Sequence, residues 1–265
     1  MAWQINQVAK VTIKNPVLIE GLPGVGNVGK IVVDFLIDSL GAKKLFEITS
    51  SQLPHCVFVN EENMVELPEI EVYYKNIGNR TLLFLAGDIQ PINEQSCYEF
   101  CHAVLDAIQK KKIKEIITLG GIALPRIPKQ PKVYATGNSK TLLQKYEKSK
   151  MVHMDTYTVV GPIVGVSGLL TGLAGKRNIP AVSLLAETFA HPNYLGILGA
   201  KELLKVLTKK LKLKVDVNRL EEEFEEVNSE MGQNDVPTLP KKKLRSPMKK
   251  EQSKEETSER LDYFG

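Results

Sequence analysis

Between residues 17 and 41 the chain reads VLIEGLPGVGNVGKIVVDFLIDSLG, and few folds accept such a stretch. Val17, Leu18 and Ile19 form a short apolar run with a β-branched bias, the pattern of a buried strand. Glycines follow at positions 21, 24, 26 and 29. Val28, Ile31, Val32, Phe35, Leu36 and Leu40 then recur at helical spacing, and Gly41 stands where a helix C-cap belongs. Strand, glycine turn and helix in succession predict an α/β domain on a mostly parallel sheet.

The glycines admit three readings. Gly24, Gly26 and Gly29 spell GxGxxG, and Glu47 lies downstream where a dinucleotide site places its ribose-binding acid. Residues 24–30 also spell GxxxxGK, most of a phosphate-binding loop. The next residue is Ile31, however, which has no hydroxyl to offer a magnesium ion. The third reading is structural: glycine permits a tight turn and close packing, and Lys30 is a solvated first-turn residue. The structural reading is preferred, with Gly24 and Gly26 kept as pocket candidates.

A chain of 265 residues suffices for one large α/β domain or two small ones. Its 35 basic and 31 acidic residues nearly cancel, and no aromatics are interleaved with a basic stripe, which argues against a nucleic-acid partner. No apolar run has membrane-spanning length, and residues 1–10 lack the order of a signal peptide. With three cysteines, an odd number, a cytoplasmic protein with reduced thiols is expected. Cys97 and Cys101 share a predicted helix beside His102. A closed zinc site needs four ligands and no second pair exists, so buried cysteines, no metal and no cofactor are expected.

Further strands are predicted over residues 11–14 (an edge strand), 44–50, 56–60, 66–74, 113–119, 133–136, 157–160 and 181–186. The almost wholly apolar TLLFLA at 81–86 predicts a central strand. Helices are expected over 92–111, 141–146 and 194–211, and another carries Gly165, Gly168, Gly172 and Gly175 along one side. Glycine weakens a helix by about 1 kcal/mol relative to alanine, so four of them imply very close backbone packing. Strand C-termini are where open α/β sheets bind ligands, which singles out Asp88, Gln90 and Glu187. Asp88 and Asn93 can equally satisfy backbone donors around the next helix start.

In their order these segments resemble the archaeal proteasome assembly chaperone family, the homologues of proteasome assembly chaperone two. The resemblance rests on EGLPGVGNVG with its helix, residues 87–91, TLGG at 118–121, GVSGLLTGLA and IPAVSLLAET. It covers residues 16–211. It implies a three-layer α/β/α domain, nucleoside-phosphorylase-like but without an established catalytic site, and therefore a chaperone or adaptor rather than an enzyme. It also implies homo-oligomers or pairing with a related family paralogue, and binding to proteasome 20S α-subunits through a C-terminal tail.

The layout expected is a body at 1–213, an acidic helix at 214–231, a disordered linker at 232–260 and a docking tail at 261–265. The acidic segment places Leu220, Phe224 and Val227 at helical spacing, as an exposed helix, a partner-contact helix or a coiled-coil seam. The linker is Pro, Lys, Glu and Ser with almost nothing apolar, too little to offset the entropy of ordering. The family's tail motif is a hydrophobic residue, then Tyr, then any residue. Tyr263, Phe264 and Gly265 hold those positions, with Phe replacing Tyr. The rival reading is an enzyme binding a nucleoside or dinucleotide at the carboxyl edge of the sheet, with Asp88, Glu187 and His191 as acid–base candidates.

Overall fold

The computed structural model describes residues 3–60, 62–156, 161–192, 194–222 and 224. The opening stretch folds as its pattern demands: β2 (Val17–Gly21), a short 3-10 turn (Val25–Asn27) and α1 (Val28–Leu40). Gly41 ends α1 in the left-handed region at φ 57°, with its N–H returned to the last turn.

Among the described residues, an eight-stranded sheet organises the body. Besides β2 it contains β1 (Trp3–Gln7), β3 (Lys43–Ser50), β6 (Ile70–Ile77), β7 (Arg80–Gly87), β8 (Glu115–Leu124), β9 (Val133–Gly137) and β10 (Ala181–Phe189). The order is β1-β3-β6-β7-β2-β8-β10-β9. Its centre, β7-β2-β8-β10, is parallel, and the flanking strands pair antiparallel. β3 therefore runs in the same direction as the parallel four. A separate hairpin, β4 (Phe58–Val59) with β5 (Val65–Glu66), stands in the connection from β3 to β6.

Helices cover both faces, giving three layers. On one face α1, α3 (Lys140–Glu147) and α5 (Ile197–Leu211) pack on Ile19, Phe84, Ile117 and Leu184. On the other, α2 (Glu94–Gln109) and α4 (Val166–Lys176) pack on Leu18, Leu83, Leu85 and Ile116. Alternate residues of one strand thus feed opposite cores. Each fully buried Leu or Ile stabilises the fold by roughly 1.5–3 kcal/mol.

β8 and β10 outrun their neighbours. Glu20 pairs with Thr118 near the end of β2, yet β8 continues to Leu124, still paired with Phe189 of β10.

Several expectations change here. Residues 11–14 form no strand; the edge strand is β1, where Trp3 is buried with its ring 4.8 Å from that of Phe100. The expected strands at 56–60 and 66–74 resolve into the hairpin and β6. Of the four glycines expected to mark close packing, a Cβ on Gly168 would meet the Ile163 carbonyl at 2.2 Å, but Gly172 has nothing within 4 Å. Gly165 instead supplies the φ of 92° that starts α4. The strand expected at 157–160 lies outside the described residues.

Candidate functional site at the carboxyl edge of the sheet

The glycine loop is a packing device. A Cβ on Gly21 would stand 2.2 Å from the Gly29 carbonyl oxygen, and one on Gly29 would stand 2.6 Å from that of Leu119. Gly26 has a φ of 62° and faces Thr188, whose Oγ1 would be 2.6 Å from an added Cβ. The loop therefore lies directly on β8 and β10 where a phosphate cradle would need open space. Gly24, by contrast, has nothing within 4 Å.

Lys30 is not solvated. Only 8% exposed, it donates to the Gly87 carbonyl at 3.0 Å, pairs with Asp34 at 2.9 Å and lies 3.7 Å from Asp88. Two carboxylates neutralise it from within, so its charge is directed into the body and away from any ligand above the loop. A lysine at the first turn of an amphipathic helix normally faces water. Here the amine reaches the Gly87 carbonyl at the end of β7, and the sequence pattern carries no sign of it.

Asp88 and Gln90 act as ties between loops. Asp88 accepts from the Glu69 N–H at 3.0 Å, and its own N–H donates to the Glu69 carbonyl at 2.9 Å. The Gln90 amide donates to the Pro23 carbonyl at 2.7 Å, and its oxygen accepts from the Val166 N–H at 3.3 Å. Asn93 accepts from the Ser96 N–H, the capping role open to it from sequence. Glu187 sits elsewhere, accepting from the Lys132 N–H at 2.9 Å and the Tyr134 hydroxyl at 3.2 Å. Burial, then the Glu187 charge, push the Tyr134 hydroxyl pKa up. β7 and β10 are three strands apart, about 14 Å at the usual strand spacing. His191 lies exposed with its ring stacked 5.6 Å from Phe189. Asp88 is thus held apart from Glu187 and His191, which belong to β10 and the loop after it.

Several buried polar groups escaped the sequence reading, among them Glu20 and a cluster of hydroxyls. Glu20, fully buried, accepts from the Leu22 N–H at 3.1 Å through one oxygen. Burial pushes its carboxyl up to about 7. A lone acid inside the run VLIEG was the available signal. Thr118, Thr171 and Ser183 close a buried hydroxyl triangle with sides of 3.1, 2.8 and 2.9 Å, clamping α4 to β8 and β10. Cys97 and Cys101 are buried on α2, and the Cys101 thiol is pushed up by its neighbour and by burial. No group of three His, Cys, Asp or Glu side chains is placed to hold a metal among the described residues.

The acidic segment is corrected in part. Leu220 and Phe224, expected as partner contacts, are buried in the chain's own core beside α5. Lys201 of α5 pairs with Glu221 at 2.5 Å in the same contact. Val227, Tyr263, Phe264 and Gly265 lie outside the described residues.

Above these ties the carboxyl edge is open and apolar-tipped. A groove of about 910 Å³ lies between the loop after β3 and the start of β6, with Leu53, Pro54, Glu66, Leu67 and Glu69 among its walls. No sequence pattern pointed to it.

The fold is thus a three-layer α/β/α body whose carboxyl-edge residues tie its loops together. The PAC2 family model matches residues 18–234, and the chain belongs to that family. It is similar to Pyrococcus furiosus PbaB, an archaeal proteasome activator, at 33% identity and a TM-score of 0.77, covering 87% of this chain and 97% of that one. Pyrococcus furiosus PbaA, an archaeal homologue of proteasome-assembly chaperone, is similar at 25% identity and a TM-score of 0.71, covering 86% and 90%. An uncharacterised Methanocaldococcus jannaschii protein is 26% identical over 254 residues, 96% of this chain and 93% of its own.

Proposed function

We propose that this chain binds the proteasome, as an activator or assembly chaperone, and performs no chemistry of its own. The observation that carries the reading is the likeness to PbaB, described as an archaeal proteasome activator, over nearly its whole length. The higher identity to PbaB than to PbaA favours activation over assembly. Asp88, Gln90 and Glu187 are engaged in holding loops, which supports a binding role over catalysis.

In this reading the partner is the 20S α-ring, and the contact is made by Tyr263, Phe264 and Gly265, carried on residues 232–260 as a tether. An aromatic pair entering an apolar groove between ring subunits contributes most of the affinity. Phe in place of Tyr removes one hydrogen bond, worth about 0.5–1.5 kcal/mol. Copies of the chain assemble in the cytoplasm, so several weak tails act together through effective concentration.

Deleting residues 263–265 is expected to abolish co-sedimentation with purified 20S proteasome while leaving the Tm unchanged. Undiminished binding would end the tail's role. Failure of the intact chain to bind would end the proteasome reading.

A further inference from the structure

Exposed apolar side chains are not spread evenly over this molecule. Among the described residues, all the large exposed ones except Val8 and Tyr98 lie on segments that leave the carboxyl edge of the sheet. Val25 follows β2, Ile92 follows β7, Ile127 follows β8 and Val164 precedes α4, and Ile92 and Val164 are 81% and 85% exposed. The β4–β5 hairpin adds Met64, Val65 and Leu67 beside the groove. Scattered exposed apolar residues need no explanation, but a one-sided concentration marks a contact face.

The face is also pre-ordered. Gln90 ties the loops of Val25, Ile92 and Val164 to one another through Pro23 and Val166. Pro125, Pro128 and Pro131 fix φ at three places in the loop that carries Ile127. Loops already held lose little entropy when a partner seats on them.

Charge on this face is divided. At the hairpin end, Glu62 and Glu69 are exposed and Glu66 is half-buried. At the other end, Arg126, Lys129 and Lys132 are exposed in the loop after β8. β3 and β8 are four strand spacings apart, roughly 19 Å. An apolar field with an acidic end and a basic end is complementary to itself when turned around.

We infer that the carboxyl edge is the surface through which a second copy of this chain docks, the acidic hairpin of one copy meeting the basic 125–132 loop of the other. The inference rests on the self-assembly in the proposed function, and assigns it to one surface. Apolar tips fill the centre of the contact and the opposed charges set its register.

The test uses the full chain in size-exclusion chromatography with light scattering, together with native mass spectrometry. One variant carries Glu62→Lys and Glu69→Lys, a second Arg126→Glu and Lys129→Glu. All four positions are exposed, so unchanged circular dichroism and Tm are expected of both. Wild type is expected to run as an oligomer. Each variant is expected to dissociate, with a dissociation constant raised on the order of tenfold or more. An equimolar mixture of the two is expected to reassociate, since every contact is again between opposite charges. Leu67→Ser is expected to weaken assembly with no change in charge. Wild type that stays monomeric would overturn self-assembly and this surface together. Oligomeric wild type with both charge variants unaffected would overturn the surface alone. Variants that keep their mass but lose the α-ring would overturn it too, giving the face to that partner.

Discussion

The two ends of the central sheet are built on opposite terms. At the end where β2, β7, β8 and β10 start, the connections carry Lys10, Lys14, Lys110, Lys112 and Lys114, all exposed. At the carboxyl end, backbones are pressed together beneath, at Gly21, Gly26 and Gly29, and apolar side chains stand above. The same strands supply both ends, so strand chemistry cannot be the cause. The loops decide, giving one end a rim of lysines and the other a set of exposed apolar tips.

Substitutions at matched places sharpen that contrast. The largest effect is expected at Gly21→Val, where the new Cβ meets the Gly29 carbonyl: a loss of about 5 kcal/mol in chemical denaturation, or insoluble protein. Gly78→Ala, in the turn at the opposite end, has open space around it and only a left-handed φ of 57° to overcome. It should lose about 1 kcal/mol. Equal losses would remove the distinction between the ends. Lys30→Met should lose about 3 kcal/mol, because it takes the cation from beside the fully buried Asp34, while Lys114→Met should stay within about 0.5 kcal/mol.

A further effect is set by pH. Burial raises the folded-state pKa of Glu20 from 4.5 to about 7, so the folded chain holds this proton after the unfolded chain has released it. Its contribution is therefore fully present below about pH 4.5, falls as pH rises towards 7 and is flat above. The full swing is at most about 3 kcal/mol. Glu20→Gln, which has no proton to lose, should flatten that slope in denaturation curves between pH 5 and 7. An unchanged slope would show that Glu20 titrates normally.

Most of the fold was legible because long elements repeat their pattern. β7, β8, β10 and the helices around them declare themselves by apolar runs or helical spacing, and the parallel centre follows from their alternation. The two-residue strands β4 and β5 are too short to show a period, and the groove beside them went unseen. The glycine motif was ambiguous for a different reason. Whether Gly29 faces a phosphate or the Leu119 carbonyl is settled by a strand some ninety residues away. Leu220 and Phe224 teach the same lesson on a helix, since spacing shows that one side is apolar but not which protein covers it. Of the proposed site, Asp88 and Gln90 were found by strand-end position, whereas their use as ties needed the loops in place.

The overhang of β8 and β10 makes the carboxyl edge a stair. From Thr118 to Leu124 the strand climbs six residues, roughly 20 Å, while β2 stops beside the foot of the climb. The step is not empty: the glycine loop fills it, with Val25 and Gly26 standing against Gly121 and Thr188. The stair is thus tread and riser for the chain's own loop, and the extra length of β8 and β10 sets where that loop stands.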